Sequence, residues 1–311
     1  MTLNKLELEK IKSSKSKVIG NQIGWHLMLL PGVIFTLIFA YLPMFGIIMA
    51  FQKFNPVKGF ANSKWVGFDN FKYLFNLPGF DTAMVNTLFI AISKLALGIV
   101  IPLVLALLLN EVRKRWFART VQTAIFLPYF LSWVILGGII KEVFGLTGLM
   151  NSMIELFGME PKMFLLDNTI FPWVIIGTDV WKGMGYNMIL FLAAITGVDP
   201  AIYESASIDG AGRWGQCLYI TLPAILPTII LVSTLALGGI LNAGFDQVLM
   251  LYNPIVYQSG DIIDTFVYRI GLIDRQYSVA AAIGVFKSAI SASLVGISYY
   301  LAYKFSNYRI F

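Results

Sequence analysis

The chain has 311 residues, of which 58% are hydrophobic and 13% are charged, and its mean hydropathy is +0.75. Soluble domains are typically about 45 to 50% apolar and about 25% charged. A chain of this size cannot hide so much apolar surface in a water-soluble core, so the composition excludes an ordinary soluble domain and indicates a lipid environment. The net charge of +6 is not gathered in one patch and does not indicate a nucleic-acid partner. With one cysteine, Cys217, and one histidine, His26, the sequence also excludes a disulfide framework and a Cys/His zinc site.

The N-terminal segment, residues 1–24, is basic and weakly amphipathic, with five lysines. Such a segment either lies on the membrane surface or remains a solvated tail, and the sequence leaves both open. The apolar run that follows is much longer than the roughly 7 to 15 residues of a signal-peptide core. It therefore predicts a retained membrane span.

Six stretches are apolar over the roughly 20 residues that an α-helix needs to cross a bilayer. They lie near residues 27–50, 86–109, 120–140, 170–197, 219–241 and 279–303. Loops on the side of the termini carry 12 Lys and Arg against eight on the other side, and positive residues are retained in the cytoplasm. The sequence thus predicts an all-α, six-span membrane domain over residues 25–311 with both termini cytoplasmic.

The loop between the fourth and fifth predicted spans, residues 198–218, carries strong local signals. Asp199 followed by Pro200 is a favourable helix start, so we expect a short helix over residues 201–208 that stops at Gly210. A second helix is expected to begin in the region of residues 212–215. A short helix on the membrane surface either docks into a groove on a soluble partner or rests at the lipid interface, and spacing alone does not decide between the two.

The same loop resembles the E-A-A-x-x-D-G-A signature of permease subunits of bacterial ABC importers, which continues as I-x-L-P-x-x-x-P. The matching residues are Glu204, Ala206, Asp209, Gly210, Ala211, Ile220, Leu222, Pro223 and Pro227. Ser205 replaces the usual second alanine, which exchanges one small residue for another. Earlier in the chain, the runs L-M-L-L-P-G-V-I-F and W-V-G-F-D-N-F are similar to the oligosaccharide branch of that family.

This resemblance implies a type I importer permease fold in the bacterial cytoplasmic membrane and makes the loop an ATPase-coupling helix. The coupling residues would be Glu204, Ser205, Ala206, Asp209, Gly210 and Ala211. The implied partners are a second homologous permease, two ATP-binding subunits and an extracytoplasmic solute-binding protein. Because the sequence has no G-x-x-x-x-G-K-[ST] run, we expect a non-catalytic subunit without a cofactor, and ATP and Mg²⁺ on the partner subunits.

Polar residues inside the fourth span mark a candidate pathway, since ionisable groups in a bilayer usually face a cavity or a partner. Asp179, Lys182, Gly183 and Tyr186 share one face of that helix. Asp179 either pairs with Lys182 to hold the bundle or faces the pathway. The run W-K-G-M-G-Y-N, which ends at Asn187, resembles the W-x-G-x-x-Y stretch that lines the sugar site of maltodextrin-type permeases.

Two further pairs of polar residues lie near the opposite side of the membrane. Asn242 and Asp246 are expected one helical turn apart, where the resemblance also places sugar contacts, although a solvated helix end has the same composition. Lys94 and Lys287 are each expected about two turns from the outer end of a span, so that their ammonium groups snorkel to the interface. If these lysines and Lys182 instead face the pathway, their charge favours an acidic oligosaccharide.

The leading hypothesis is a transmembrane subunit of an ATP-driven importer that passes an oligosaccharide, with an acidic one as the weaker refinement. It would be coupled to its ATPase subunits through residues 199–215. The alternative is an ion-coupled secondary transporter, for which Asp179 is the only intramembrane carboxylate. A membrane-embedded enzyme is disfavoured because His26 and Cys217 are too isolated to form a catalytic cluster.

Overall fold

A computed structural model describes residues 24–306, so the predicted basic segment lies outside the described residues except for Gly24. The described chain is predominantly helical. The helices are α1 (Gly24–Phe51), α2 (Gly59–Asn62), α3 (Asp69–Leu74), α4 (Phe80–Asn110), α5 (Arg115–Phe126), α6 (Trp133–Val143), α7 (Leu149–Leu156), α8 (Phe171–Thr196), α9 (Pro200–Ile208), α10 (Arg213–Leu237), α11 (Phe245–Leu251), α12 (Tyr257–Gly260), α13 (Ile263–Tyr268) and α14 (Tyr277–Ser306). Two short strands, β1 (Gln52–Lys53) and β2 (Lys64–Trp65), pair antiparallel after α1.

Four helices in the described part of the chain are long and apolar enough to cross a membrane, namely α1, α4, α10 and α14. The number is six if each of two bent helix pairs forms one span. In the first pair, the helical stretch Arg115–Phe130, which begins with α5, meets α6 at 108°. In the second pair, α8 meets α9 at 66°. The bounds agree with five of the predicted spans to within several residues. The third predicted span, residues 120–140, coincides with the first bent pair, so it is one span only if the two helices on either side of the bend cross the membrane together.

The break in the third span is encoded locally. After α5 the chain tightens into a 3-10 turn, Leu127–Phe130, with Pro128 in its first turn. Ser132 then caps α6, because its hydroxyl accepts a hydrogen bond from the N–H of Ile135 at 3.3 Å. A proline-containing turn followed by an N-cap serine ends one helix and begins another. The chain therefore changes direction inside the apolar stretch.

Helix α8 is the centre of the bundle. Its first half packs Phe171, Ile175 and Ile176 against α4, α6 and α11, with Ile90 and Val248 as fully buried partners. Its second half contributes a separate buried cluster shared with α4 and α10, made by Ala106, Leu109, Met188, Phe191, Ile195 and Ile225. Because α8 is packed along its whole length, its polar face is held at a fixed rotation relative to α4 and α10.

Gly185 allows α5 to touch the middle of α8. A Cβ atom at this position would lie 2.6 Å from both the carbonyl oxygen of Ile125 and the Cα of Phe126. Both neighbours are backbone atoms, so neither can move aside as a side chain would. Interiors packed at this density do not absorb an extra methyl group without strain. Gly185 therefore sets the distance between α5 and α8.

We expect Gly185→Ala to destabilise the protein by about 1 to 3 kcal/mol, the usual cost of overpacking. The matched control is Gly177→Ala in the same helix, where nothing lies within 4 Å of the new Cβ and the better helix propensity of alanine is expected to leave stability unchanged or slightly higher. Thermal unfolding in detergent, followed by tryptophan fluorescence, measures both. Equal midpoints for the two variants would contradict the close approach of α5 and α8.

Candidate functional site

A cavity of about 340 Å³ lies in the middle of the bundle between α4, α8 and α10. Four of the predicted pathway residues line it together: Asp179, Gly183, Tyr186 and Asn187. Lys94 of α4 lines it as well, although the sequence suggested an interfacial position for that residue. Three of the four residues of the face predicted for the fourth span therefore line a cavity, while Lys182, Asn242 and Asp246 lie outside its lining.

Asn187 uses its amide to repair a break in α4. Pro102 has no N–H group, so the carbonyl of Gly98, four residues earlier, lacks its helical donor. The Nδ2 of Asn187 donates a hydrogen bond to that carbonyl oxygen at 3.0 Å. Asn187 thus ties α8 to α4, and its Oδ1 is the atom left to accept a hydrogen bond from the cavity.

Lys182 reaches into the break between α5 and α6. Its Nζ donates to the carbonyl oxygen of Tyr129 at 3.0 Å and lies 5.3 Å from the centre of the Tyr129 ring and 5.6 Å from that of Trp133. These distances suit cation–π attraction. The partners of Lys182 are therefore a carbonyl and two aromatic rings.

Tyr129 and Tyr186 form an aromatic stack beside the cavity. Their rings are 5.1 Å apart and inclined by 13°, and the residues are 41% and 45% exposed. Sequence reasoning selected Tyr186 and missed Tyr129. The sequence signal next to Tyr129 is Pro128, because a proline indicates that the helix ends and a turn begins.

Asp179 pairs with Lys94, whose Nζ lies 3.3 Å from the Asp179 carboxylate. The expected pair between Asp179 and Lys182 is absent from the ion pairs of the described residues, so that expectation was wrong. The snorkelling of Lys94 was also wrong. The Lys94 side chain is only 9% exposed and its ammonium group is bound inside the bundle, so it does not extend toward the interface.

Lys94 also binds α11 and the chain just before it. Its Nζ donates to the carbonyl oxygen of Ala243 at 2.8 Å and to the Oε1 of Gln247 at 2.5 Å. Gln247 is fully buried, and its Nε2 donates to the Ile175 carbonyl and the Thr178 hydroxyl, both at 2.8 Å. Gln247 was not selected from the sequence, since an isolated glutamine in an apolar region carries no pattern.

Asn242 and Asp246 are not one helical turn apart, because the helix is interrupted between them. Helix α10 ends at Leu237, and Gly244 adopts a left-handed φ of +93° before α11 begins. Asp246 lies exposed in the first turn of α11. Asn242 is exposed and accepts a hydrogen bond from Lys287 at 3.0 Å. Lys287 also binds Asp264 at 2.5 Å, so its expected snorkelling was wrong as well.

The expected short helix between the fourth and fifth spans is confirmed as α9. Asp199 caps it by accepting from the N–H of Ala201 at 2.9 Å, and Gly210 ends it with a φ of +83°. The second helix begins at Arg213, inside the expected region. The predicted coupling residues Glu204, Ser205, Asp209 and Gly210 are exposed, while Ala206 and Ala211 are half-buried.

Apolar side chains also project from this loop. Ile208 is 87% exposed and Trp214 is 78% exposed. Large apolar side chains this exposed within one short loop are typical of surfaces that contact a partner or a lipid interface. The exposed surface of α9 is therefore compatible both with docking into a soluble partner and with resting at the lipid interface.

Three side-chain contacts tie α9 and its return helix to the bundle. The hydroxyls of Tyr203 and Thr221 are 3.0 Å apart, and Gln216 donates to the Ser207 hydroxyl at 2.8 Å. Arg213 forms an ion pair of 2.6 Å with Glu111, just past the end of α4. Through these contacts α9 is connected to α10 and α4, two of the three helices that line the cavity.

Known proteins share this architecture. A family model described as binding-protein-dependent transport system inner membrane component matches residues 98–310. The chain is 43% identical to the polygalacturonan/rhamnogalacturonan transport system permease protein YteP of Bacillus subtilis (strain 168), over 97% of this chain and 94% of that protein.

Two solved structures are also similar to the chain. A bacterial ABC transporter involved in the import of the acidic polysaccharide alginate has a chain that matches with a TM-score of 0.86 and 36% identity, over 94% of this chain and 99% of that one. A bacterial alginate ABC transporter in complex with an alginate pentasaccharide-bound periplasmic protein matches with a TM-score of 0.85 and 36% identity, over 93% and 96%. The chain therefore belongs to the family of inner membrane components of binding-protein-dependent transport systems.

Proposed function

We propose that this chain is the transmembrane subunit of an ATP-driven importer and forms part of the pathway for an acidic oligosaccharide. The observation that carries the proposal is the central cavity, whose wall includes the Tyr186 ring and the Asn187 amide, with Tyr129 stacked on Tyr186 and contacted by Lys182. The similarity to sugar permeases at 43% identity supports an oligosaccharide as the cargo.

The wall of the cavity has the chemistry that a sugar needs. Flat carbohydrate faces pack on aromatic rings, and Tyr186, which is stacked on Tyr129, places such a ring in the cavity wall. Hydroxyl groups need donors and acceptors in pairs, which amides and carboxylates provide. The Oδ1 of Asn187 and the partly exposed carboxylate of Asp179 are such groups at the same cavity.

The charge pairing of the three lysines in the predicted spans favours an acidic sugar. Lys94 is paired with Asp179 and Lys287 with Asp264, so both charges are already compensated. Lys182 has no carboxylate within 4.0 Å among the described residues and is held by a carbonyl and two rings. A carboxylate of the cargo would complete its coordination with a charge-assisted hydrogen bond. The similar transporter that is involved in the import of the acidic polysaccharide alginate supports this choice.

The proposed assembly contains a second permease, two ATPase subunits and an extracytoplasmic binding protein, with α9 and both termini in the cytoplasm. In this assembly α9 docks into an ATPase subunit with Ile208 and Glu204 on its exposed surface. The contacts of Tyr203, Gln216 and Arg213 would then pass its displacement to α10 and α4. The alginate transporter complex with its periplasmic protein supports a binding protein as the donor of the cargo.

We expect Lys182→Met to slow the uptake of an oligogalacturonate by about 10- to 100-fold, the usual value of one hydrogen bond to a charged group. Uptake of a neutral galacto-oligosaccharide of the same length is expected to change little. The measurement uses the complete complex in proteoliposomes, with Lys141→Met as the control because Lys141 is exposed on α6. Equal loss for both sugars, or no loss for either, would remove the acidic preference.

We expect Gly210→Val and Glu204→Lys to abolish substrate-stimulated ATP hydrolysis in the assembled complex while the spans remain inserted. Valine is strained at the φ of +83° that Gly210 adopts, and Glu204→Lys reverses a charge on the proposed docking surface. The matched control is Gly212→Val, since Gly212 has an extended backbone and open space around it. Full stimulation in both variants would refute the coupling role of α9.

A further inference from the structure

The stretch between α10 and α11, residues 238–244 and hereafter the linker, has no regular helix. It begins just after Leu235 and Ala236, which line the central cavity, and it contains Asn242, a proposed sugar contact. Gly244 closes the linker in the left-handed conformation. A non-helical stretch between membrane-spanning helices needs protein partners for its polar groups, because lipid supplies no hydrogen-bond donors or acceptors.

Two lysines from different helices supply those partners. Lys94 of α4 donates to the carbonyl oxygen of Ala243 at 2.8 Å. Lys287 of α14 donates to the Oδ1 of Asn242 at 3.0 Å. The linker is therefore bound at two successive residues, by ammonium groups that come from separate helices.

A carboxylate holds each ammonium group in place. Asp179 of α8 lies 3.3 Å from Lys94, and Asp264 of α13 lies 2.5 Å from Lys287. The lysine side chains are only 9% and 16% exposed. Each lysine thus contacts both a carboxylate and the linker, whereas charge compensation alone would require only the carboxylate.

The surroundings of Gly244 show how closely Lys94 packs against the linker. A Cβ atom on Gly244 would lie 2.6 Å from the Nζ of Lys94 and 3.2 Å from the Oε1 of Gln247. The left-handed φ of +93° favours glycine here, and a larger residue would also displace the Lys94 ammonium group from its present position.

The chemistry of the two partners determines which way Asn242 faces. An ammonium group only donates hydrogen bonds, so Lys287 fixes the amide oxygen of Asn242 toward itself. The NH₂ group of the same amide then points away from Lys287 and is the end available to a ligand oxygen. The carbonyl of Ala243, held by Lys94, sets the backbone direction of the adjacent residue.

We propose that Lys94 and Lys287 are positioning residues that hold the linker in the shape in which Asn242 offers its NH₂ group to the oligosaccharide. The role of Asn242 rests on the function proposed above, whereas the shape of the linker does not. A purely compensating role for the lysines would require only that each charge has a counter-charge. The two roles differ in what happens when a lysine and its acid are neutralised together.

The first measurement follows the linker without any sugar. A spin label is placed at Gly239→Cys, where a Cβ meets nothing closer than 4.0 Å, in the complete complex with Cys217→Ser. The double variants Lys94→Met/Asp179→Asn and Lys287→Met/Asp264→Asn are expected to increase the mobility of the label. Lys141→Met is the control and is expected to leave the spectrum unchanged. An unchanged spectrum in both double variants would overturn the proposal.

The second measurement is oligogalacturonate uptake by the same complexes in proteoliposomes. The double variant Lys287→Met/Asp264→Asn, which leaves the proposed sugar contacts of the cavity in place, is expected to raise KM by about 2- to 10-fold, as for the loss of one neutral hydrogen bond, with the maximal ATPase rate retained. Native KM in this variant would show that charge compensation suffices and would overturn the positioning role. A mobile linker in the variants, together with no oligogalacturonate uptake by the native complex, would support the positioning and overturn the proposed cargo.

Discussion

The structure depends on one constraint, which is that backbone groups freed by a helix break inside lipid must find donors within the protein. Asn187 donates to the Gly98 carbonyl that Pro102 leaves without a partner. Lys182 donates to the Tyr129 carbonyl at the end of a 3-10 turn, and Lys94 to that of Ala243. In each case the donor comes from another helix. The breaks that make room for a cavity are therefore also the points that fix how the helices pack.

The features predicted well from the sequence are those that local chemistry determines. Apolar runs of sufficient length located the spans, and an N-cap aspartate followed by proline located α9, which ends at Gly210 as expected. The polar face of α8 followed from helical periodicity, and three of its four residues do line one cavity, whereas Lys182 does not. Membership of the transport family was also evident from the loop after that helix. The substrate and coupling roles of individual residues stay predictions.

The features missed depend on how elements meet. Lys94 is buried between α4, α8 and α11 instead of extending to the interface, and Asp179 of α8 is its ion-pair partner. The rotation of α8 sends Lys182 toward Tyr129 instead. The bend after α5 had a sequence signal in Pro128 and Ser132, but an apolar run conceals it. Pairing partners and helix axes are tertiary properties, so periodicity along one helix does not contain them.

The contacts that anchor α9 have a thermodynamic consequence. Glu111 at the end of α4 and Thr221 in α10 connect the loop to the same two helices that enclose the cavity. Coupling between two binding sites is reciprocal, because both affinities refer to one set of conformations. If ATPase binding at α9 changes the cavity's preference for its cargo, then cargo in the cavity must change the affinity of α9 for the ATPase by the same factor. The affinity of α9 for the ATPase would then differ between an empty cavity and one that holds cargo.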